Sequence, residues 1–236
     1  PLYQKMDLPL IDLLFQMEEN GIAINRNKIL ELENNFQNKI NLLTKQIHEI
    51  AQEEFNINSP QQLGVILFEK RKLIGGKKGP SGHWITDVKV LENLAEEQND
   101  ELANLVLKYR ALAKLKSTYI DDLIERSQKS PRIHTTFSMV ATNTGRLASS
   151  NPNLQNIPIK SEEGKEIRET FIAESKKVLL SADYSQIELR VLAHLSNDKA
   201  LLEAYNKNYD IHASTASEVF GIPIDQVDKL MRRKAK

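Results

Sequence analysis

Apolar residues recur at helical spacing along the first half of the chain and predict a predominantly helical fold. Leu8–Gln16 predicts a short helix that ends near Asn20-Gly21. A seam at steps of three and four residues predicts a long helix and consists of Ile29, Leu32, Phe36, Ile40, Leu43, Ile47 and Ile50. A second stripe predicts another long helix and consists of Leu102, Leu105, Val106, Tyr109, Leu112, Tyr119 and Leu123. Because each helix has one apolar face, we expect the two to pack as an antiparallel pair.

Two shorter helices are predicted between the long ones by their start signals. Ser59-Pro60-Gln61-Gln62 has the form of a capping box with proline at the first helical position. Thr86-Asp87 places an acid at the positive end of the next helix. The residues that join these helices, 70–84, are rich in glycine and lysine and therefore predict a basic loop.

The pattern changes after about residue 126. Arg132–Val140 is rich in β-formers, and Val178–Ala182 is a short apolar run bounded by polar residues, so both segments predict strands of a small sheet. From Ser185 onward the pattern is helical again, and it includes His212–Phe220. The fold class predicted by the whole pattern is α+β, predominantly helical.

Composition excludes several classes of protein. The 236 residues carry 32 Lys+Arg and 32 Asp+Glu, so a uniformly basic nucleic-acid coat is excluded. The absence of cysteine excludes disulfides, thiolate metal clusters and a cysteine nucleophile. No apolar run approaches the roughly 18 residues of a membrane span, so we expect no membrane partner. The chain lacks a first Met and stops within a helical pattern, and we therefore expect a fragment of a longer protein.

The strongest candidate for chemistry is the segment 180–190. An apolar run ends at Asp183 and a helix is predicted to start immediately afterwards. A carboxylate at such a junction can hold a divalent cation and present it to phosphate oxygens. The alternative is structural, since Ser185 and Glu188 are spaced as a capping box and Asp183 could be a solvated turn residue. The segment on its own favours that alternative.

Two further features suggest contact with nucleic acid. Residues 142–158 are dense in amides and hydroxyls around Arg146, groups that hydrogen-bond phosphates and minor-groove acceptors, although turns use the same residues. Basic clusters lie at 70–78, 108–116 and 232–236. Three such clusters in a chain of zero net charge indicate that positive charge is sorted onto one side.

The candidate segments resemble, in order, the motifs of the family A DNA polymerases. Asp183–Arg190 resembles the first carboxylate motif of that family, and the other matching segments are Lys114–Tyr119, Thr144–Leu147 through Pro152–Pro158, Asp210–His212 with Val219–Gly221, and Arg232–Lys236. The resemblance is specific over residues 110–236 and looser over 8–110. It implies a fragment of a right-hand polymerase, with a lead-in helix at 1–25, a helical-hairpin thumb at 26–126 whose tip is 70–84, a palm part with a small antiparallel sheet at 127–195, and the start of the fingers at 196–236.

The resemblance also implies partners and residue roles. The parent protein would act in the cytoplasm as a monomer in DNA replication and repair, and would bind primer-template DNA and deoxynucleoside triphosphates. Asp183, Arg232 and Lys236 would be catalytic, and Asp183 with the backbone carbonyl of Tyr184 would bind Mg²⁺. The implied nucleotide-binding residues are Gln186, Ile187, Glu188, His212, Arg232 and Lys236, with Glu188 excluding ribonucleotides. The implied DNA-binding residues are Lys77, Lys78, Arg110, Lys114, Lys116, Ser117, Thr118, Tyr119, Thr142, Thr144, Arg146, Asn153, Gln155 and Asn156.

One part of the family's chemistry lies outside this sequence. The family supplies the second metal carboxylate later in its chain, and one carboxylate cannot hold two cations about 3.5–4 Å apart. We therefore expect the fragment alone to be inactive. The alternatives left open are a non-enzymatic duplex-DNA-binding module and a coiled-coil dimerisation segment formed by the 29–50 seam. A metal-dependent nuclease is disfavoured, because no second acidic cluster accompanies Asp183.

Overall fold

The structure is mostly helical, as the spacing of apolar residues predicts. The computed structural model describes residues 2–159, 161–207 and 210–235. Its α-helices are α1 (Leu8–Asn20), α2 (Arg26–Ala51), α3 (Pro60–Gly64), α4 (Val88–Glu97), α5 (Glu101–Leu115), α6 (Asp121–Lys129), α7 (Glu162–Arg168), α8 (Ile187–Ser196), α9 (Lys199–Asn206), α10 (Ile211–Phe220) and α11 (Lys229–Lys234). The π-helical turns Tyr3–Asp7, Val65–Lys70 and Lys116–Ile120 adjoin α1, α3 and α5, and a 3₁₀ turn spans Ile224–Gln226.

Helices α2 and α5 form the predicted antiparallel pair. The first half of the α2 seam, residues 29–40, shares one apolar cluster with residues 112–123. Ile47, near the other end of α2, shares a second cluster with residues 102–106. The order of the contacting segments is reversed, so the helices run antiparallel. The seam is buried within the chain, which contradicts the alternative of a coiled-coil dimerisation segment.

The predicted start signals of the two shorter helices are used. The Ser59 hydroxyl accepts a hydrogen bond from the Gln62 amide at 3.3 Å, and the Asp87 carboxylate accepts one from Val90 at 2.9 Å. The second hydrogen bond of the predicted capping box is made with another residue. The Gln62 side-chain oxygen accepts from the backbone amide of Asn56 at 2.7 Å and not from that of Ser59. Each cap satisfies a donor that the first helical turn would leave unpaired.

Two small antiparallel sheets lie at the base of the long helices. Strand β1 (Ile22–Ala23) pairs with β2 (Arg132–Ile133), and β3 (Thr136–Ser138) pairs with β4 (Ala148–Ser150). The strand predicted over 132–140 is therefore split in two and ends at Ser138.

The turn from α1 into β1 requires glycine. Gly21 adopts a φ of +56°, and a Cβ atom there would lie 2.6 Å from the carbonyl oxygen of Ile133. Its amide donates to the carbonyl of Met17 at 2.9 Å and closes the helix. A residue without a side chain is needed for both the left-handed conformation and the close approach of β2.

The strand predicted over Val178–Ala182 does not form. The segment is irregular, and Val178 and Leu180 are 86% and 88% exposed. Among the described residues no strand pairs with it, and a short apolar run becomes a strand only when a neighbour takes up its backbone hydrogen bonds. Asp183 therefore follows an irregular segment and not the end of a strand.

The chain divides into two compact units, Pro1–Leu179 and Leu180–Lys236. Both apolar clusters belong to the first unit, and α8 to α11 belong to the second. The boundary predicted between palm and fingers, at 195–196, stays a prediction. Across the described part of the chain, no helix is both long enough and apolar enough to cross a membrane.

Candidate functional site

The predicted site residues fall into two groups, one in each compact unit. The Leu180–Lys236 unit carries the residues predicted to bind metal and nucleotide. The Pro1–Leu179 unit carries those predicted to bind DNA. Lys236, predicted to be catalytic, lies outside the described residues.

Asp183 and Tyr184 are both exposed in the irregular segment before α8, and Tyr184 is 80% exposed. No hydrogen bond or ion pair to the Asp183 carboxylate occurs within the described part of the chain. Its carboxylate and the backbone carbonyl of Tyr184 are hard oxygen donors, which suit Mg²⁺. However, residues 2–159, 161–207 and 210–235 contain no group of three His, Cys, Asp or Glu that could hold a metal ion. The Asp183 carboxylate and the Tyr184 carbonyl could therefore supply part of a coordination sphere, but they do not complete one.

Helix α8 starts differently from the predicted capping box. Gln186 is its N-cap, has a φ of +52°, and makes no side-chain cap hydrogen bond. A capping box would need Ser185 at the N-cap in extended conformation and Glu188 three residues later. The left-handed residue at 186 moves the helix start to Ile187, so the predicted box is wrong. Ile187 and Glu188 are both exposed in the first turn of α8.

A side-chain bridge that the sequence did not predict connects α8 with α9. The Arg190 guanidinium lies 4.5 Å from the centroid of the Tyr205 ring, and its Nε donates to the Ser185 carbonyl at 3.0 Å. The Tyr205 hydroxyl lies 3.4 Å from Oε1 of Gln186. Cation–π contacts of this kind contribute about 0.5–1 kcal/mol at exposed sites. The bridge stabilises the left-handed turn that follows Asp183 and Tyr184.

Asp210 brings together two elements that carry predicted nucleotide-binding residues. Its Oδ1 accepts hydrogen bonds from the amides of His212 at 3.0 Å and Ala213 at 3.2 Å, which caps α10. Its Oδ2 accepts from Nε of Arg232 in α11 at 2.6 Å. Burial raises the pKa of Asp210, but the hydrogen bonds from Arg232 and from the two amides outweigh burial, and the pKa lies below its usual value. The carboxylate is therefore ionised at neutral pH.

In the first unit, two of the predicted DNA-binding cations are engaged in protein packing. Arg110 donates to the carbonyl of Thr86, and burial lowers its pKa. Lys116 is 16% exposed and forms ion pairs with Asp121 at 2.7 Å and Glu33 at 3.7 Å. Arg110 thus connects α5 to the residue before the Asp87 cap, and Lys116 connects the end of α5 to α2 and α6. These contacts account for basic residues at both positions without any DNA contact.

Tyr119, another predicted DNA-binding residue, joins the helical pair to the 142–158 loop. It is 8% exposed, its hydroxyl donates to the backbone carbonyl of Asn156 at 2.6 Å, and burial raises its pKa. We expect Tyr119→Phe to lower the free energy of unfolding by about 0.5–1.5 kcal/mol, because a part-buried hydrogen bond is lost and the Asn156 carbonyl loses its donor. Urea denaturation measures this, with Tyr3→Phe as control because Tyr3 is 63% exposed. Equal stability of the two variants would contradict the assignment.

The 142–158 loop is shaped by its own polar side chains. The Thr142 hydroxyl donates to the Arg146 carbonyl at 2.6 Å. In the Gln155 side chain, Oε1 accepts a hydrogen bond from the backbone amide of Ser149 and Nε2 donates one to the Leu147 carbonyl, both at 3.2 Å. These hydrogen bonds show that amide and hydroxyl side chains of the 142–158 loop are used to hold the loop itself. The Arg146 side chain is exposed at the surface of the loop.

The remaining predicted DNA-binding residues lie at the surface. The exposed ones are Lys77, Lys78, Lys114, Ser117, Thr118, Thr144, Asn153 and Asn156. The Lys78 ammonium lies 4.7 Å from the centroid of the Trp84 ring and 3.9 Å from the Glu69 carboxylate. Lys114 has no ion-pair partner in the described ranges. Its charge is therefore available to a phosphate.

Comparison with known proteins gives consistent matches over almost the whole chain. The sequence profile of DNA polymerase family A matches residues 26–236. DNA polymerase I of Caldicellulosiruptor bescii is 49% identical over 236 residues, which are 100% of this chain and 27% of that protein. DNA polymerase I of Bacillus subtilis is 45% identical over 237 residues, again 100% of this chain and 27% of the relative.

A solved structure agrees with the sequence matches. The POL domain of Pol1 from M. smegmatis, in complex with DNA primer-template and dNTP, superposes with a TM-score of 0.90 at 36% identity, and the match covers 99% of this chain and 41% of that one. The chain thus spans about a quarter of the length of the curated relatives it matches. Because the family profile covers all but the first 25 residues, the chain belongs to DNA polymerase family A.

Proposed function

We propose that this chain is part of a template-directed DNA polymerase and carries one metal-binding carboxylate together with parts of the triphosphate and primer sites. In the reaction the primer 3′-hydroxyl attacks the α-phosphate of a deoxynucleoside triphosphate, a new P–O bond forms, and the bond to pyrophosphate breaks. The observation that carries the proposal is the superposition, at a TM-score of 0.90, on a POL domain in complex with DNA primer-template and dNTP.

The proposed division of labour follows the elements of the fold. Residues 26–126, built around the α2–α5 pair, would be the thumb with its tip at 70–84. Residues 1–25 would lead into the palm, 127–195 would form part of it, and 196–236 would begin the fingers. The apolar cluster that contains Ile47 lies wholly within residues 47–109 and supports a thumb with a core of its own.

Asp183 and the Tyr184 carbonyl would supply ligands to Mg²⁺. When bound, the metal lowers the cost of negative charge on the attacking and leaving oxygens. The exposure of Asp183 directly before α8 supports this role, since its carboxylate is open to an ion. The remaining ligands would come from sequence beyond this chain.

The triphosphate would be held by fixed cations and by the start of α8. Arg232 and Lys236, four residues apart, would bind its phosphates, and His212 would lie near the β-phosphate. A planar guanidinium suits bidentate phosphate binding, and fixed cations stabilise the charge that develops on the leaving group. Lys236 would also give a proton to the departing pyrophosphate. Gln186 and Ile187 would line the nucleotide site at the turn.

Glu188 would discriminate deoxyribonucleotides from ribonucleotides. Its exposed position in the first turn of α8, five residues after Asp183, supports contact with the sugar of a nucleotide bound beside that carboxylate. The side chain would crowd the 2′ position, so a ribonucleotide would fit less well.

The DNA would contact the surface residues of the first unit. Lys77, Lys78 and Lys114 would bind phosphates, a contact that is independent of sequence and weakens with salt. Arg146 would reach the minor-groove edge of the primer end, where correct base pairs present similar acceptors. Arg110, Lys116 and Tyr119 would act indirectly, by holding the helices that present these groups.

A chain exchange tests the proposed function. The 236 matching residues of the C. bescii relative are replaced by this chain, and extension of a labelled primer is followed with the four deoxynucleotides and Mg²⁺. We expect the exchanged enzyme to extend the primer as the template directs. A folded exchange protein that fails to extend, while the unaltered relative succeeds, would contradict the proposal.

The same protein separates the proposal from a non-enzymatic duplex-binding module. Such a module is favoured only by the exposed cations, of which Lys114 is an example. A binding module would bind primer-template DNA, and this binding would weaken with salt and with Lys114→Gln. Replacement of Asp183 would then leave the yield of extended primer unchanged.

A further inference from the structure

The Asp210 carboxylate has two tasks that use different oxygen atoms. Oδ1 caps α10 by accepting from the amides of His212 and Ala213, and Oδ2 accepts from Nε of Arg232 at 2.6 Å. Helix capping alone requires only the first of these. The second connects the N-terminus of α10 to α11 across 22 residues of sequence.

The way in which Arg232 is held leaves its terminal nitrogens available. Only Nε of the guanidinium is hydrogen-bonded within the described ranges, so Nη1 and Nη2 have no partner there. The side chains of Arg232 and Asp210 are 42% and 41% exposed, so the pair is reached by solvent. A guanidinium fixed at Nε presents the pair of terminal N–H groups that binds two phosphate oxygens.

We propose that Asp210 is a positioning residue that orients the Arg232 guanidinium for the polyphosphate of a bound nucleotide. The inference rests on the proposed triphosphate-binding role of Arg232. Asp210 fixes a long side chain that would otherwise sample many rotamers, and it does so from the same helix start that carries His212.

The sign of the electrostatic effect makes this role distinguishable from others. Asp210 is an anion beside a proposed anion site, so its charge on its own weakens phosphate binding. Removing the charge should therefore strengthen binding if Asp210 is only a cap or only a bystander. Weaker binding after its removal requires that the orientation of Arg232 matters more than the charge.

The test uses the 236-residue chain and inorganic tripolyphosphate in the absence of metal. In Asp210→Asn the amide oxygen can still cap α10, but the NH₂ group cannot accept from Nε of Arg232. The matched control is Asp198→Asn, because Asp198 caps α9 through the Leu201 amide at 2.9 Å and pairs with no cation in the described residues. Affinity is measured by calorimetry, and the Nε–Hε resonance of Arg232 is followed by ¹⁵N NMR.

We expect Asp210→Asn to weaken tripolyphosphate binding about three- to tenfold, which is the cost of about one side chain ordered on binding. The Arg232 Nε–Hε resonance should shift in this variant and not in Asp198→Asn. In an Arg232→Lys background, where no guanidinium can be oriented, Asp210→Asn should cause no further weakening.

Two outcomes would overturn the inference in different ways. Unchanged or tighter binding by Asp210→Asn, with normal binding by the unaltered chain, would contradict the positioning role and leave the proposed nucleotide site intact. Binding by the unaltered chain that does not change in Arg232→Ala would contradict the proposed triphosphate role of Arg232, and the inference with it.

Discussion

The 236-residue chain alone is expected to give no template-directed primer extension under conditions in which the exchanged enzyme extends. The reason is the donor set, because the described residues contain no group of three potential metal ligands and Asp183 is the single carboxylate proposed for the site. Two-metal catalysis needs ligands for two cations about 3.5–4 Å apart. The assay incubates the purified chain with labelled primer-template, four deoxynucleotides and Mg²⁺, and resolves the products on a gel.

Two controls make that negative result informative. Binding of the same primer-template by the chain demonstrates that it is folded and that the substrate is present at its surface. The exchanged enzyme, assayed in parallel, demonstrates that the substrates are competent. Extension by the chain that disappears in Asp183→Asn would contradict the expectation, because a contaminating polymerase would be unaffected by that substitution.

Phe36→Ala is expected to lower the free energy of unfolding of the first unit by about 3–5 kcal/mol. Phe36 is 0% exposed and lies in the cluster that joins α2 to residues 112–123. Truncation removes the buried ring and leaves a cavity that the surrounding helices cannot fill completely. Guanidinium denaturation measures the change. Fluorescence of Trp84 is a suitable probe, since it is the chain's single tryptophan and its ring lies 4.9 Å from that of Phe68.

Leu42→Ala is the matched control for this substitution. Leu42 lies on the same helix and is 59% exposed, so its replacement should change stability by less than about 0.5 kcal/mol. A Phe36→Ala variant as stable as Leu42→Ala would contradict the packing of α2 against α5.

Long periodic segments were predictable because burial acts on every turn of a helix. The α2 seam and the stripe at 102–123 each repeat over several turns, and their residues are buried or partly buried as predicted. The structure of residues 178–182, predicted as a strand and found irregular, was not predictable in this way. A five-residue run with four apolar residues forms a strand only with a partner, and sequence periodicity carries no information about the partner.

Roles that depend on distant residues were the least predictable. Lys116 lies in a basic cluster of the kind that contacts phosphate, but its charge is paired with Glu33 and Asp121. Glu33 is far away in sequence, so sequence spacing could not reveal this ion pair. The capping box at Ser185 failed because a left-handed backbone at Gln186 is not encoded by side-chain spacing. Asp210 could be recognised as a helix cap from its position before Ile211, whereas its bond to Arg232 required the fold.

Whether the Asp183 carboxylate takes part in nucleotidyl transfer is tested by one substitution in the exchanged enzyme. Asp183→Asn keeps the size of the side chain and removes its charge, whereas Asp225→Asn changes an exposed carboxylate in the same unit. We expect the first variant to bind primer-template normally and to lose about 10³-fold in the rate of single-nucleotide addition. The second should extend at the unaltered rate. Equal rates for Asp183→Asn and Asp225→Asn would contradict the account.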